Sequence, residues 1–106
     1  MIYKSSMVDL FGKHSDDAIY EYIKVGRKFW SYTDRWHLLT ITYKRSGCIF
    51  YTEDDSSEER YFGIGSIMFL MLVPETIYLS ELPYKIDIKS NSFDDYDGSI
   101  SINIIE

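Results

Sequence analysis

A chain of 106 residues that is 45% hydrophobic and 26% charged is too apolar to stay disordered and has the size of one domain. Its 17 acids against 11 bases give a formal net charge of −6, which speaks against nucleic acid or anionic membrane as partner, because both reward basic patches. With Cys48 as its single cysteine the chain makes no internal disulfide, so a reducing cytoplasm is the expected setting.

Residues 1–6 lack the apolar stretch of a secretory signal. The longest apolar run, residues 67–73, falls well short of the roughly 20 needed to cross a bilayer. Ser5-Ser6 followed by Met7, Val8, Leu10 and Phe11, with a stop at Gly12, predicts a short helix. Ser15 caps a second one. Asp16 and Asp17 lie in its first turn, Ala18, Ile19, Tyr22 and Ile23 share a face, and Gly26 ends it. Lys24, Arg27 and Lys28 then sit by the negative end of that helix dipole, a structural role that suits them better than nucleic-acid binding.

From Trp36 the hydrophobic period changes to two. Leu39, Ile41 and Tyr43 alternate with Thr40 and Thr42, residues 44–47 turn, and residues 48–52 return. Pairing across that turn sets Tyr43 opposite Cys48 and Ile41 opposite Phe50, all on one apolar face. Residues 67–73 read as a central strand covered on both sides and ended by Pro74-Glu75. Ile77 and Leu79 then alternate inward, Leu82-Pro83 turns the chain, and Ile86 and Ile88 alternate again before a last strand with Ile100, Ile102 and Ile104. Matching Ile88 with Ile100 and Ile86 with Ile102 keeps the faces consistent and leaves residues 89–99 as a long loop around Asp97-Gly98. The expected fold is α+β: one or two N-terminal helices on a mainly antiparallel, twisted sheet of about five to seven strands.

No catalytic or cofactor signature stands out. Gly63-Ile64-Gly65 lacks the third glycine and following helix of a dinucleotide site and reads as a bend or bulge. Asp95-Tyr96-Asp97-Gly98 fails as a calcium loop, because its first and twelfth ligands would be Phe93 and Ile104. In the expected register Cys48 is an inert core thiol, and Cys48, His14 and His37 have no zinc spacing. The chain is therefore expected to be no enzyme and to need no cofactor or metal.

The acids carry more information. Eight of the 17 fall in two stretches: Glu53, Asp54, Asp55, Glu58 and Glu59, then Asp94, Asp95 and Asp97. Without them 9 acids face 11 bases, so the remainder is formally +2. Tyr51, Tyr61, Phe62, Phe93 and Tyr96 flank or interrupt both stretches. Carboxylates beside tyrosines suit a surface that meets Arg and Lys, through charge-assisted hydrogen bonds and cation–π stacking. Glu53, Asp54, Asp55, Glu58, Glu59, Tyr61, Asp94, Asp95, Tyr96 and Asp97 are the candidate partner-binding residues.

In length, charge, lack of catalytic motif and acidic-aromatic loops the chain resembles the small acidic immunity proteins of bacterial toxin systems, such as contact-dependent growth inhibition. That resemblance implies a cytoplasmic antitoxin that binds a cognate basic toxin, often a nuclease, and covers its active site. A phage-type inhibitor or nucleic-acid mimic would use the same physics on another target. A small ligand-binding domain, with a pocket away from the acids, is the further alternative.

Overall fold

The computed structural model describes residues 11, 16–69, 72–82, 100 and 102–105. Within them one α-helix, α1 (Asp16–Tyr22), precedes seven strands: β1 (Lys28–Tyr32), β2 (Trp36–Arg45), β3 (Cys48–Glu53), β4 (Glu59–Gly63), β5 (Leu72–Pro74), β6 (Thr76–Tyr78) and β7 (Asn103–Ile105). Five strands form one antiparallel sheet in the order β4-β3-β2-β1-β5, while β6 and β7 make a small parallel pair. The fold is α+β and mainly antiparallel, as the sequence pattern predicts.

The helix forms where Asp16 and Asp17 meet the positive end of its dipole. It turns Ile19, Tyr22 and Ile23 onto the sheet at the i, i+3, i+4 spacing of one face. These pack with Phe11, Phe29, Leu39, Ile41, Ile49, Leu72 and Ile77 into a single core. The chain leaves the helix through Gly26, whose φ of 92° lies in the left-handed region that glycine enters without a Cβ clash. The basic cluster there is structural. Arg27 donates from Nη1 to the Tyr22 carbonyl (2.8 Å), closing the helix end, and stacks 4.0 Å over the Tyr78 ring. Arg27 and Lys24 both bind Glu81, in the 3₁₀ turn Leu79–Glu81. The buried Tyr22 hydroxyl accepts the Tyr78 N–H (2.9 Å), so the helix is fastened to β6.

The hairpin expected from Trp36 onward is present, with a different register. Its tip is the two-residue turn Ser46-Gly47, with φ of 50° and 81°, the handedness that matches strand twist. Arg45 pairs with Cys48, Tyr43 with Phe50, and Ile41 with Tyr51. Thr42 is the extra residue of a β-bulge, which shifts the pairing by one between Ile41 and Tyr43. The bulge sits where Ile41 turns its backbone to the other neighbour, accepting from Gly26 N–H (2.8 Å) and donating to the Arg27 carbonyl (3.0 Å). Before it Leu39 and Ile41 face the core; after it Lys44 takes the helix side, its ammonium 4.1 Å over the Tyr20 ring, and Tyr43 faces outward. Cys48 accordingly lies opposite Arg45 and is partly exposed, which corrects its expected place in the core.

Residues 67–73 do not form a central strand. The chain bends at Gly63 into a 3₁₀ helix, Ile64–Phe69, and of the described residues that follow, Leu72–Pro74 are extended and pair with β1 at the sheet edge. Two segments escaped the sequence pattern, β1 and β4, both five residues long. Glu75 links the two sheets, donating to Lys28 O (3.1 Å) and accepting from Asn103 N (2.7 Å). Ile104 of the last strand pairs with Ile77, in parallel. The expected pairing of Ile86 and Ile88, and most of the helix at 5–12, lie outside the described residues.

Candidate functional site

Residues directly opposite each other in neighbouring strands share a sheet face. On the face away from α1 this aligns Tyr43, Phe50 and Tyr61 across β2, β3 and β4. Their ring centroids are 5.6 Å apart at each step, and Tyr43 and Tyr61 are 50% and 67% exposed. Glu59, two residues before Tyr61, lies on the same face and accepts from Thr42 Oγ1 at 2.7 Å. Asp55 and Glu58 are exposed in the loop that leads into this edge strand. Glu59 and the aromatic row therefore form one strip at the β4 end of the sheet, flanked by the loop that carries Asp55 and Glu58, the latter 3.9 Å from Arg60.

The first acidic stretch divides into two parts. Glu59 and Tyr61 belong to that strip, and Asp55 and Glu58 flank it. Glu53 and Asp54 turn to His37 instead. Asp54 has φ of 51°, a left-handed conformation that aspartate tolerates better than most residues. It brackets Leu38 from there, donating N–H to the Leu38 carbonyl (2.8 Å) and accepting the Leu38 N–H on Oδ1 (3.0 Å). Its Oδ2 lies 2.7 Å from His37 Nδ1, and Glu53 Oε1 lies 3.1 Å from the same nitrogen. On the other side of the ring, Nε2 is 3.1 Å from Asp34 Oδ1, which also accepts from Thr33 Oγ1 at 2.9 Å. Arg35 approaches Asp54 at 3.7 Å.

The electrostatics follow from the geometry. Hydrogen bonds to Asp54 and then Asp34 raise the His37 pKa above its ordinary 6.5, favouring imidazolium. The same ring, helped by Thr33, lowers the Asp34 pKa to about 2, although this carboxylate is largely solvated. His37 and the Leu38 N–H lower the Asp54 pKa. His37 is buried, its side chain 11% exposed, while Asp34 and Arg35 around it are 80% and 69% exposed.

Sequence reasoning picked Glu59 and Tyr61 and missed Tyr43, Phe50 and His37. Tyr43 and Phe50 were hidden by the bulge. His37 is 16 and 17 positions from Glu53 and Asp54 in sequence, and the hairpin joins them. Asp94, Asp95, Tyr96 and Asp97 lie outside the described residues. No helix among the described residues is long and apolar enough to cross a membrane. Comparison of the chain with family models, curated proteins and solved structures finds no match.

Proposed function

We propose that the protein is an immunity protein of the cytoplasm, which neutralises a cognate basic toxin, a nuclease by preference, through stoichiometric binding rather than catalysis. The observation that carries this reading is the strip Tyr43, Phe50, Tyr61 and Glu59, flanked by Asp55 and Glu58. Exposed aromatic area supplies the anchor, and the carboxylates stand in for substrate phosphates against toxin Lys and Arg. Glu53 and Asp54 support the loop from beneath, and the 94–97 acids extend the charge in this reading. Charge complementarity of this kind chiefly raises association rate and specificity, and both fall as salt rises.

The test is co-purification with the product of the neighbouring upstream gene, followed by titration of its toxicity. A one-to-one complex is expected, weakened by salt. Tyr61→Ala and the triple change Asp55→Asn, Glu58→Gln, Glu59→Gln should each lower affinity by at least about tenfold. No complex at low salt, or full protection by the triple variant, would overturn the proposal.

A further inference from the structure

Three carboxylates converge on His37, more acceptors than a neutral imidazole can serve. A neutral imidazole has one N–H and one lone pair. Asp34 takes the N–H at Nε2, so the lone pair of Nδ1 faces two further acceptors, Asp54 Oδ2 and Glu53 Oε1. Something positive has to stand between them, either a proton or a metal ion. A proton on Nδ1 lies along one line and is shared poorly between oxygens at 2.7 and 3.1 Å. A metal ion would satisfy all three donors at once.

We propose that His37 Nδ1, Glu53 and Asp54 form a binding site for a divalent transition-metal ion of the zinc type, with a fourth position open to water. One ligand atom from each residue lies within 4.8 Å of the others. Tetrahedral zinc, with donors at about 2.0–2.2 Å, holds its ligand atoms about 3.3 Å apart. The two spacings from Nδ1, 2.7 Å to Asp54 Oδ2 and 3.1 Å to Glu53 Oε1, fall short of this by about 0.6 and 0.2 Å, a change that side-chain torsion can supply. Two of the three ligands are already aimed. Asp34, itself held by Thr33, fixes the far nitrogen of His37 as a carboxylate–histidine–metal arrangement requires. The Leu38 N–H occupies Asp54 Oδ1 and leaves Oδ2 for the metal. Imidazole with carboxylates selects zinc-like ions over magnesium or calcium, which prefer oxygen alone. Arg35 opposes the ion, but its side chain is 69% exposed and can leave. His37 and Glu53 lie on the helix side of the sheet, the face opposite the partner-binding strip, and the site does not depend on the toxin reading.

The test is calorimetric titration of the full chain with Zn²⁺, joined to Co²⁺ substitution read by visible absorption. One ion per chain is expected, with a dissociation constant of about micromolar or tighter, four-coordinate Co²⁺ absorption, and no competition from excess Mg²⁺. His37→Phe should weaken binding by at least about 100-fold, and Asp34→Asn, which touches only the far nitrogen, by about 10–100-fold. Cys48→Ser, at the far end of the β2–β3 hairpin, should leave it unchanged. If circular dichroism shows His37→Phe unfolded, Glu53→Gln replaces it, with an expected loss of at least about tenfold. Absence of saturable Zn²⁺ uptake, or uptake that is unchanged in the folded ligand variants, overturns the site.

Discussion

Removing one oxygen tests how the helix is fastened to the rest of the molecule. Tyr22→Phe keeps the ring, its edge contact with Phe11 at 5.3 Å and the Arg27 guanidinium 5.0 Å from its centroid. It deletes the acceptor of the Tyr78 N–H, a bond of 2.9 Å at a residue only 3% exposed. The lost hydrogen bond is worth about 1 kcal/mol, and a buried N–H left without a partner costs about 1–3 kcal/mol. Part of this is returned, because the hydroxyl no longer has to be desolvated, the same burial that raises the Tyr22 pKa. A net destabilisation of about 1–2 kcal/mol is expected, and each kcal/mol lowers Tm by about 4–8 °C in a domain near this size. Thermal and urea melts followed by circular dichroism measure it, with an unchanged m-value. Tyr61→Phe, at an exposed position, is the control and should stay within about 0.5 kcal/mol. Amide hydrogen exchange adds a local reading: Tyr78 should lose more protection than the β2–β3 ladder. Equal melts for the two variants, or unchanged exchange at Tyr78, would refute the fastening role.

Glu81 gives a pH prediction with a definite sign. Its pKa is lowered by hydrogen bonds from Lys24 and Arg27, so the stabilisation is present above the unfolded value of 4.5 and is lost as pH falls through the folded value. Glu81→Gln should therefore be less stable than the wild type near neutral pH and should lose less stability between about pH 5 and 3; parallel acid titrations would contradict the pairing. At the hairpin tip, Ser46 is exposed and held at φ of 50°, a conformation that asparagine adopts more readily. Ser46→Asn should raise the urea midpoint by an amount equivalent to about 0.5–1 kcal/mol, and a lowered midpoint would show that this turn geometry is wrong.

The helix, the hairpin and the α+β class were legible because each is written in nearest-neighbour spacing. Ile19, Tyr22 and Ile23 recur at 3.6, and Leu39 and Ile41 at two. The register was not legible, since the Thr42 bulge answers to Gly26 and Arg27, far away in sequence. An uninterrupted alternation predicts Tyr43 inward; one extra residue turns it out. Residues 67–73 misled for another reason. A short apolar run carries no period that separates a strand from a helical turn, and here a 3₁₀ helix takes its first part. β1 was missed because Lys28, Trp30 and Tyr32 occupy its outer face, and aromatic residues there blur the alternation.

Composition treated the five acids of residues 53–59 as one feature, and backbone direction divides them. Pairing through Glu53 and Thr52 keeps strict alternation, so Glu53 follows Leu39 to the helix side while Thr52 and Glu59 oppose each other on the outer face. Asp54 then reverses the chain with a positive φ, returning its carboxylate to Leu38 and His37. Among the described residues the cations that face Asp34, Glu53 and Asp54 are His37 and Arg35, which leaves a formal surplus of one negative charge even with an imidazolium. A divalent ion in place of the Nδ1 proton would cancel that surplus. Asp55, Glu58 and Glu59 stay exposed, Glu58 within 3.9 Å of Arg60 and Glu59 bound by Thr42. Three solvated carboxylates alone make a weak surface. Recognition therefore has to lean on Tyr43, Phe50 and Tyr61, and the aromatic strip, more than the net charge, decides what this face can bind.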